Sequence, residues 1–128
     1  MRVLGIGGVF IKSPNPDALR AWYQRHLGLD LQPWGGMAFQ VDPVRDKGAQ
    51  TVWSVFDAAS TYFAPSTAPF MINYRVADLD TLLATLRAEG CAVDARSDAS
   101  EFGKFGWVMD PDGNRIELWE PPPPPSDG

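Results

Sequence analysis

Asp110-Pro111-Asp112-Gly113-Asn114-Arg115-Ile116-Glu117-Leu118 is the stretch that decides the fold. Its first five residues are turn formers: proline presets the backbone of one turn position, and glycine supplies the positive φ that closes it. Strand-like runs flank them at 105–109 and 115–119. The spacing predicts a β-hairpin near the end of the chain.

Upstream of the hairpin, Asp78-Leu79-Asp80 opens a helix with Asp78 as N-cap. Leu79, Leu82, Leu83 and Leu86 form its apolar stripe, and Gly90 ends it. An earlier segment has the same design. Asn15 is an N-cap, Pro16 takes the first helical position, and Asp17 lies in the positive first turn. Leu19, Trp22, Tyr23 and Leu27 recur at helical spacing, with Gly28 as the stop. Each helix follows a strand, containing Val9, Phe10 and Ile11 in one case and Met71, Ile72, Asn73, Tyr74 and Val76 in the other. The two caps, Asn15 and Asp78, stand 63 residues apart, about half of the 128-residue chain. Strand-like runs follow at about 29–34, 37–42 and 51–56, and again at about 91–95, 105–109 and 115–120. Both halves therefore read β-α-β-β-β, a duplicated module. The expectation is one domain over 1–120, with module one at about 1–62 and module two at about 63–120. Residues 121–125 are all proline, so 121–128 is expected to be an exposed polyproline II tail.

Composition bounds the function classes. The formal net charge is −5, and the basic residues are scattered, which argues against a nucleic-acid partner. No run approaches the ~20 apolar residues needed to span a bilayer, and the apolar N-terminal run reads as a strand, not a signal peptide. The expected location is the cytoplasm. Cys91, the single cysteine, sits in an apolar stretch and is expected to be a small buried hydrophobe. Gly5-Ile6-Gly7-Gly8 hints at a phosphate loop, but position 10 is Phe and the run leads into a strand.

Three pieces of sequence resemble the glyoxalase / bleomycin-resistance / extradiol dioxygenase (vicinal oxygen chelate) superfamily. They are Gly8-Val9-Phe10-Ile11 with Asn15, Trp22-Tyr23 and Leu27-Gly28-Leu29; Tyr74 to Asp80; and the hairpin string itself. The resemblance implies an α+β fold in which two βαβββ modules form a curved mixed sheet, or cup, with the helices on its outer face. It also implies a homodimer and a pocket inside or between the cups.

Most enzymes of that superfamily hold a divalent metal on His or Gln, His, and Glu. Seven residues before each helix cap, where the opening strands should supply ligands, this chain has Gly8 and Met71; only Glu117 keeps a ligand type. Glycine has no donor, and a thioether is a soft, weak ligand beside a carboxylate. His26, the only histidine, lies in the last turn of the first helix. The chain is therefore expected to work without a cofactor, a divalent metal being the lesser alternative.

Strand alternation sorts the cup lining. Val9 with Ile11, Ile72 with Tyr74 and Val76, and Ile116 with Leu118 should face the helices. Phe10, Met71 and Trp119 should line the cup with Lys12, Asn73, Arg75, Arg115 and Glu117. Trp34, Trp53 and Trp107 are candidates for added aromatic surface. The expected ligand-binding residues are Phe10, Met71, Asn73, Arg75, Trp53 and Trp119, with Glu117 as the candidate catalytic group. Three functions stay open: a metal-free protein binding an apolar or aromatic small molecule, a lyase or isomerase using Glu117 as general base, and a metal-dependent lyase or dioxygenase.

Overall fold

The computed structural model describes residues 2–40 and 49–123. Its elements run β1 (Val3–Ser13), α1 (Pro16–Leu27), β2 (Gly36–Gln40), β3 (Gln50–Asp57), β4 (Phe70–Val76), α2 (Leu79–Ala88), β5 (Ala92–Ser100), β6 (Gly103–Met109) and β7 (Arg115–Glu120). The seven strands form one open, curled mixed sheet in the order β2-β3-β1-β4-β7-β6-β5. No helix among the described residues is long and apolar enough to cross a membrane.

The local signals act as expected. Asn15 Oδ1 accepts from Ala18 N at 3.3 Å, and Asp78 Oδ1 accepts from Thr81 N at 3.2 Å. Gly28 closes α1 at φ 70°. In the final hairpin Gly113 takes φ 82°, and Asp110 Oδ1 accepts from both Asp112 N and Asn114 N at 2.9 Å.

The duplication is visible in the strand register. β1 and β4 pair antiparallel at the centre of the sheet, with Val9 opposite Ile72. Each then pairs parallel with the last strand of its own half, Val9 beside Trp53 and Ile72 beside Ile116. Every one of these equivalences carries the 63-residue offset of the two caps, so a pseudo-twofold axis passes through the Val9–Ile72 pair. By the same offset Glu117 corresponds to Ser54, and Asn73 to Phe10.

The halves are not equal. Module two is β-α-β-β-β, but the described residues of module one form β-α-β-β. The expected strand at 29–34 is a turn instead. Pro33 has no N–H to give a ladder, Gly35 N donates to Gln32 O at 3.0 Å, and Gln32 N donates to Gly36 O at 2.8 Å. The expected run at 37–42 becomes β2, with 41 and 42 outside the described residues. In module two the expected run at 91–95 extends through Ser100, because β5 is a largely exposed edge strand whose polar residues hide its period.

The helix-facing prediction holds best in module two. Val76 and Leu118 pack with Leu79, Leu82 and Leu83 of α2, joined by Tyr74, Val93, Val108 and Ile116. Module one is covered more thinly. No α1 residue is fully buried, and Trp22 and Leu27 are exposed. Cys91 is also exposed, contrary to expectation. It sits between Gly90 and the edge strand β5, outside the stripe that α2 buries. Pro122 and Pro123 are exposed; Pro124, Pro125 and the rest of the predicted tail lie outside the described residues.

Candidate functional site

The concave face of the sheet gathers a second cluster: Phe10, Met71, Trp107 and Phe63, with Val52, Phe56, Tyr62 and Phe105 against it. Six of these eight lie on strands. Tyr62 and Phe63 come from the linker between the modules, residues 58–69.

Glu117 lies on the concave face and is 1% exposed. Register explains its company. Asn73 is its parallel neighbour on β4, and Trp107 its antiparallel neighbour on β6. Asn73 Nδ2 donates to Glu117 Oε2 at 3.1 Å, and the Tyr62 hydroxyl makes a short hydrogen bond to Glu117 Oε1. Burial pushes the Glu117 carboxyl above the usual carboxylate range, while the Tyr62, Asn73 and Trp107 donors and the Arg115 charge pull the other way. Tyr62 is pushed up too, first by burial and then by the neighbouring carboxylate, so its phenol stays a donor.

Arg115 adds charge at the rim. Its guanidinium lies over Trp107 at 4.9 Å from the ring centroid, and its Nη2 is 3.5 Å from Asp94. A cleft of about 230 Å³ opens beside it, lined in part by Pro65, Asp94, Trp107, Met109 and Arg115. Among the described residues two buried polar atoms in the cup, Asn73 Oδ1 and Trp107 Nε1, make no hydrogen bond. Trp107 Nε1 is close enough to favour the charged carboxylate but lacks hydrogen-bond geometry.

Phe10, Met71, Asn73, Trp119 and Glu117 thus share the concave face as the alternation predicts. Trp119 is stacked on Phe105 at 6.1 Å, and its Nε1 donates to Phe102 O at 2.8 Å. Arg75 is buried, with its Nη2 3.5 Å from Leu4 O. Trp53 is not brought to the cup. It pairs with Val9 on the opposite face and packs on Tyr23 of α1, ring centroids 4.7 Å apart. Trp34 is exposed. Tyr62 escaped the sequence reading, although an aromatic pair, Tyr62-Phe63, among small linker residues was a usable signal.

The donors at Glu117 do not suit the superfamily's metal. The carboxylate is met by a phenol and an amide N–H, and its module-one counterpart is Ser54. Among the described residues no three His, Cys, Asp or Glu side chains converge.

Residues 8–119 match the family described as the glyoxalase-like domain. The chain belongs to that family. Solved structures with this fold include methylmalonyl-CoA epimerase from Mycobacterium tuberculosis, 23% identical over 94% of this chain and 90% of that one, TM-score 0.61. A Streptomyces coelicolor methylmalonyl-CoA epimerase variant reaches TM-score 0.67 at 16% identity over 97% and 99% of the two chains. A glyoxalase/bleomycin resistance protein/dioxygenase superfamily member from Vibrio splendidus aligns at 13% identity, 88% and 95% coverage and TM-score 0.55. At these identities the likeness is one of fold. No curated protein matches the sequence significantly.

Close packing around this glyoxalase-like site makes one glycine critical. A Cβ on Gly7 would lie 2.2 Å from Asn73 Oδ1 and 2.8 Å from Trp119 Cε3. Gly7→Ala is expected to push Asn73 off Glu117 and cost about 1–3 kcal/mol, measured as a lowered urea midpoint.

Glu117 also predicts a pH dependence. An unfolded Glu titrates near about 4.3, and the folded pKa is higher. Between the two values the folded state binds more protons than the unfolded one. This contribution is therefore most favourable below the unfolded pKa, declines as pH rises through the folded pKa, and then levels off. Wild type should lose stability relative to Glu117→Gln as pH rises from about 4 to about 8. Urea unfolding of both proteins across that range checks the sign.

Proposed function

We propose that the protein binds a small, largely apolar or aromatic molecule in the cup, with Glu117 as its polar anchor and without the superfamily's chelated metal. The observation that carries this reading is a fully buried carboxylate that, among the described residues, accepts hydrogen bonds from the neutral groups of Tyr62 and Asn73 amid aromatic walls. Burying a carboxylate is costly, and replacing Glu117 by an apolar residue would avoid that cost. Small-molecule sites combine apolar walls with a few polar groups in this way. The test is a thermal-shift screen of wild type and Glu117→Gln against aromatic and hydroxyl- or amine-bearing compounds. Hits that disappear in the variant support the reading; a variant that keeps every hit overturns it.

A second reading has its own observation. Trp107 Nε1 is a buried donor without an acceptor, close to a carboxyl whose proton affinity burial raises. An isomerase could use Glu117 to take a proton next to a carbonyl while the indole N–H stabilises the oxygen that gains charge. Incubating each hit in deuterated water separates the readings. A bound molecule recovered unchanged and undeuterated supports binding, and deuterium at an exchangeable carbon supports the isomerase.

A further inference from the structure

The cup is occupied by its own chain. The Tyr62 ring lies nearly parallel to Phe56, centroids 5.3 Å apart at 15°, and edge-on to Trp107 at 6.2 Å and 89°. Its hydroxyl meets the Glu117 carboxylate. Beside it Phe63 is completely buried against the strand aromatics. The segment bringing them is not part of the sheet. Its ends are tied by Ala58 N to Ser13 O at 2.8 Å and by Lys12 N to Pro69 O at 2.7 Å. Between them its own turns close on Ser60, Ala64 and Ser66, and Arg115 Nη1 donates to Ala64 O. The cleft edged by Pro65 adjoins the linker.

We propose that the linker is a built-in occupant of the binding site, and that the natural ligand is a para-substituted phenol or similar hydroxyaryl molecule that displaces Tyr62 and takes over its place between Phe56, Trp107 and Glu117. This deepens the binding reading above and rests on it. The slot selects for chemistry as well as size. With Tyr62 withdrawn, Glu117 retains Asn73 but loses its hydroxyl donor, and a buried acceptor without a donor is costly. A flat ring carrying a hydroxyl restores both contacts, whereas a plain hydrocarbon ring restores only the stacking. The para substituent follows from Tyr62 itself, whose Cβ leaves the ring opposite the hydroxyl and leads toward the linker.

Competition with an internal occupant lowers apparent affinity by the fraction of molecules in the open state. The probe is 4-methylphenol, with toluene as the donor-free comparison, titrated into wild type, Tyr62→Ala and Tyr62→Phe. Wild type is expected to bind 4-methylphenol saturably, with faster amide exchange across residues 58–69. Tyr62→Ala should bind it about tenfold or more tighter, because nothing is left to displace. Tyr62→Phe, which keeps the ring and the fold but not the hydroxyl, should also bind tighter than wild type. Toluene should bind wild type about tenfold or more weakly than 4-methylphenol. The proposal is overturned if wild type saturates with linker exchange unchanged, or if wild type does not bind at all. In the latter case a filled hole in Tyr62→Ala would mark Tyr62 as ordinary core. These failures leave the Glu117 reading standing, because that reading is tested separately, by whether Glu117→Gln keeps every hit of the wider screen.

Discussion

Trp107→Ala is expected to lower the unfolding free energy by about 3–5 kcal/mol. Trp107 is 2% exposed and sits in the concave-face cluster with Phe10, Phe63 and Met71. Its ring also meets the guanidinium groups of Arg115 at 4.9 Å and Arg96 at 5.6 Å. Alanine would remove those contacts and leave a cavity that the sheet cannot close, because β6 is laddered on both sides, to β5 and β7. The expected loss is a large part of the ~5–15 kcal/mol that holds a typical domain together. Urea unfolding should show a lowered midpoint with an unchanged slope. Trp34→Ala is the comparison: Trp34 is 56% exposed, and its replacement should shift stability by no more than about 0.5 kcal/mol. Equal effects at the two tryptophans would contradict the packing described for the cup.

Phe63→Ala should cost a similar amount by the same rule, about 3–5 kcal/mol, but the loss should take a different form. Phe63 is 0% exposed, tilted against Phe56 at 5.2 Å, and lies under the Lys12 ammonium at 5.0 Å. Unlike Trp107 it belongs to a segment with no ladder hydrogen bonds. Part of the cost should therefore appear as local opening. Hydrogen exchange at residues 58–69 should quicken well beyond that of β4, the middle strand of the sheet, and its neighbour β7. Uniform quickening over the whole sheet would mean that the linker opens only with global unfolding.

What was legible in the sequence was what local chemistry dictates. Asn15 and Asp78 mark helix starts because their side chains accept from the first-turn amides, and Asp110 to Asn114 can form little but a tight turn. The 63-residue offset survives into the strand register because both halves solve the same packing problem. Alternation then placed Phe10, Met71, Asn73 and Glu117 on one face. Alternation fails where burial is uneven or backbone chemistry intervenes. Pro33 and Gly35 turn the expected strand at 29–34 into a loop, and the polar edge strand β5 outruns its apolar start. Trp53 faces α1 and not the cup because it is in register with Val9, and that register is fixed only by tertiary structure. Tyr62 was missed for a related reason. No periodicity describes a linker, and its meeting with Glu117, 55 positions away in the chain, depends on how the sheet curls.

The superfamily resemblance carries the fold and leaves the chemistry to particular side chains. Where the pseudo-twofold axis should supply a matching pair of polar positions, it supplies Asn73 against Phe10 and Glu117 against Ser54. Among the described residues the module-two half of the cup carries an amide and a carboxylate where module one carries a phenyl ring and a small hydroxyl.

The most direct test is calorimetric titration of the strongest screening hit into wild type and Glu117→Gln, each with and without excess chelator. Binding in wild type should be unchanged by chelator and should weaken about tenfold or more in Glu117→Gln. Undiminished binding by Glu117→Gln, or loss of wild-type binding on chelation, would contradict a metal-free cup anchored on Glu117.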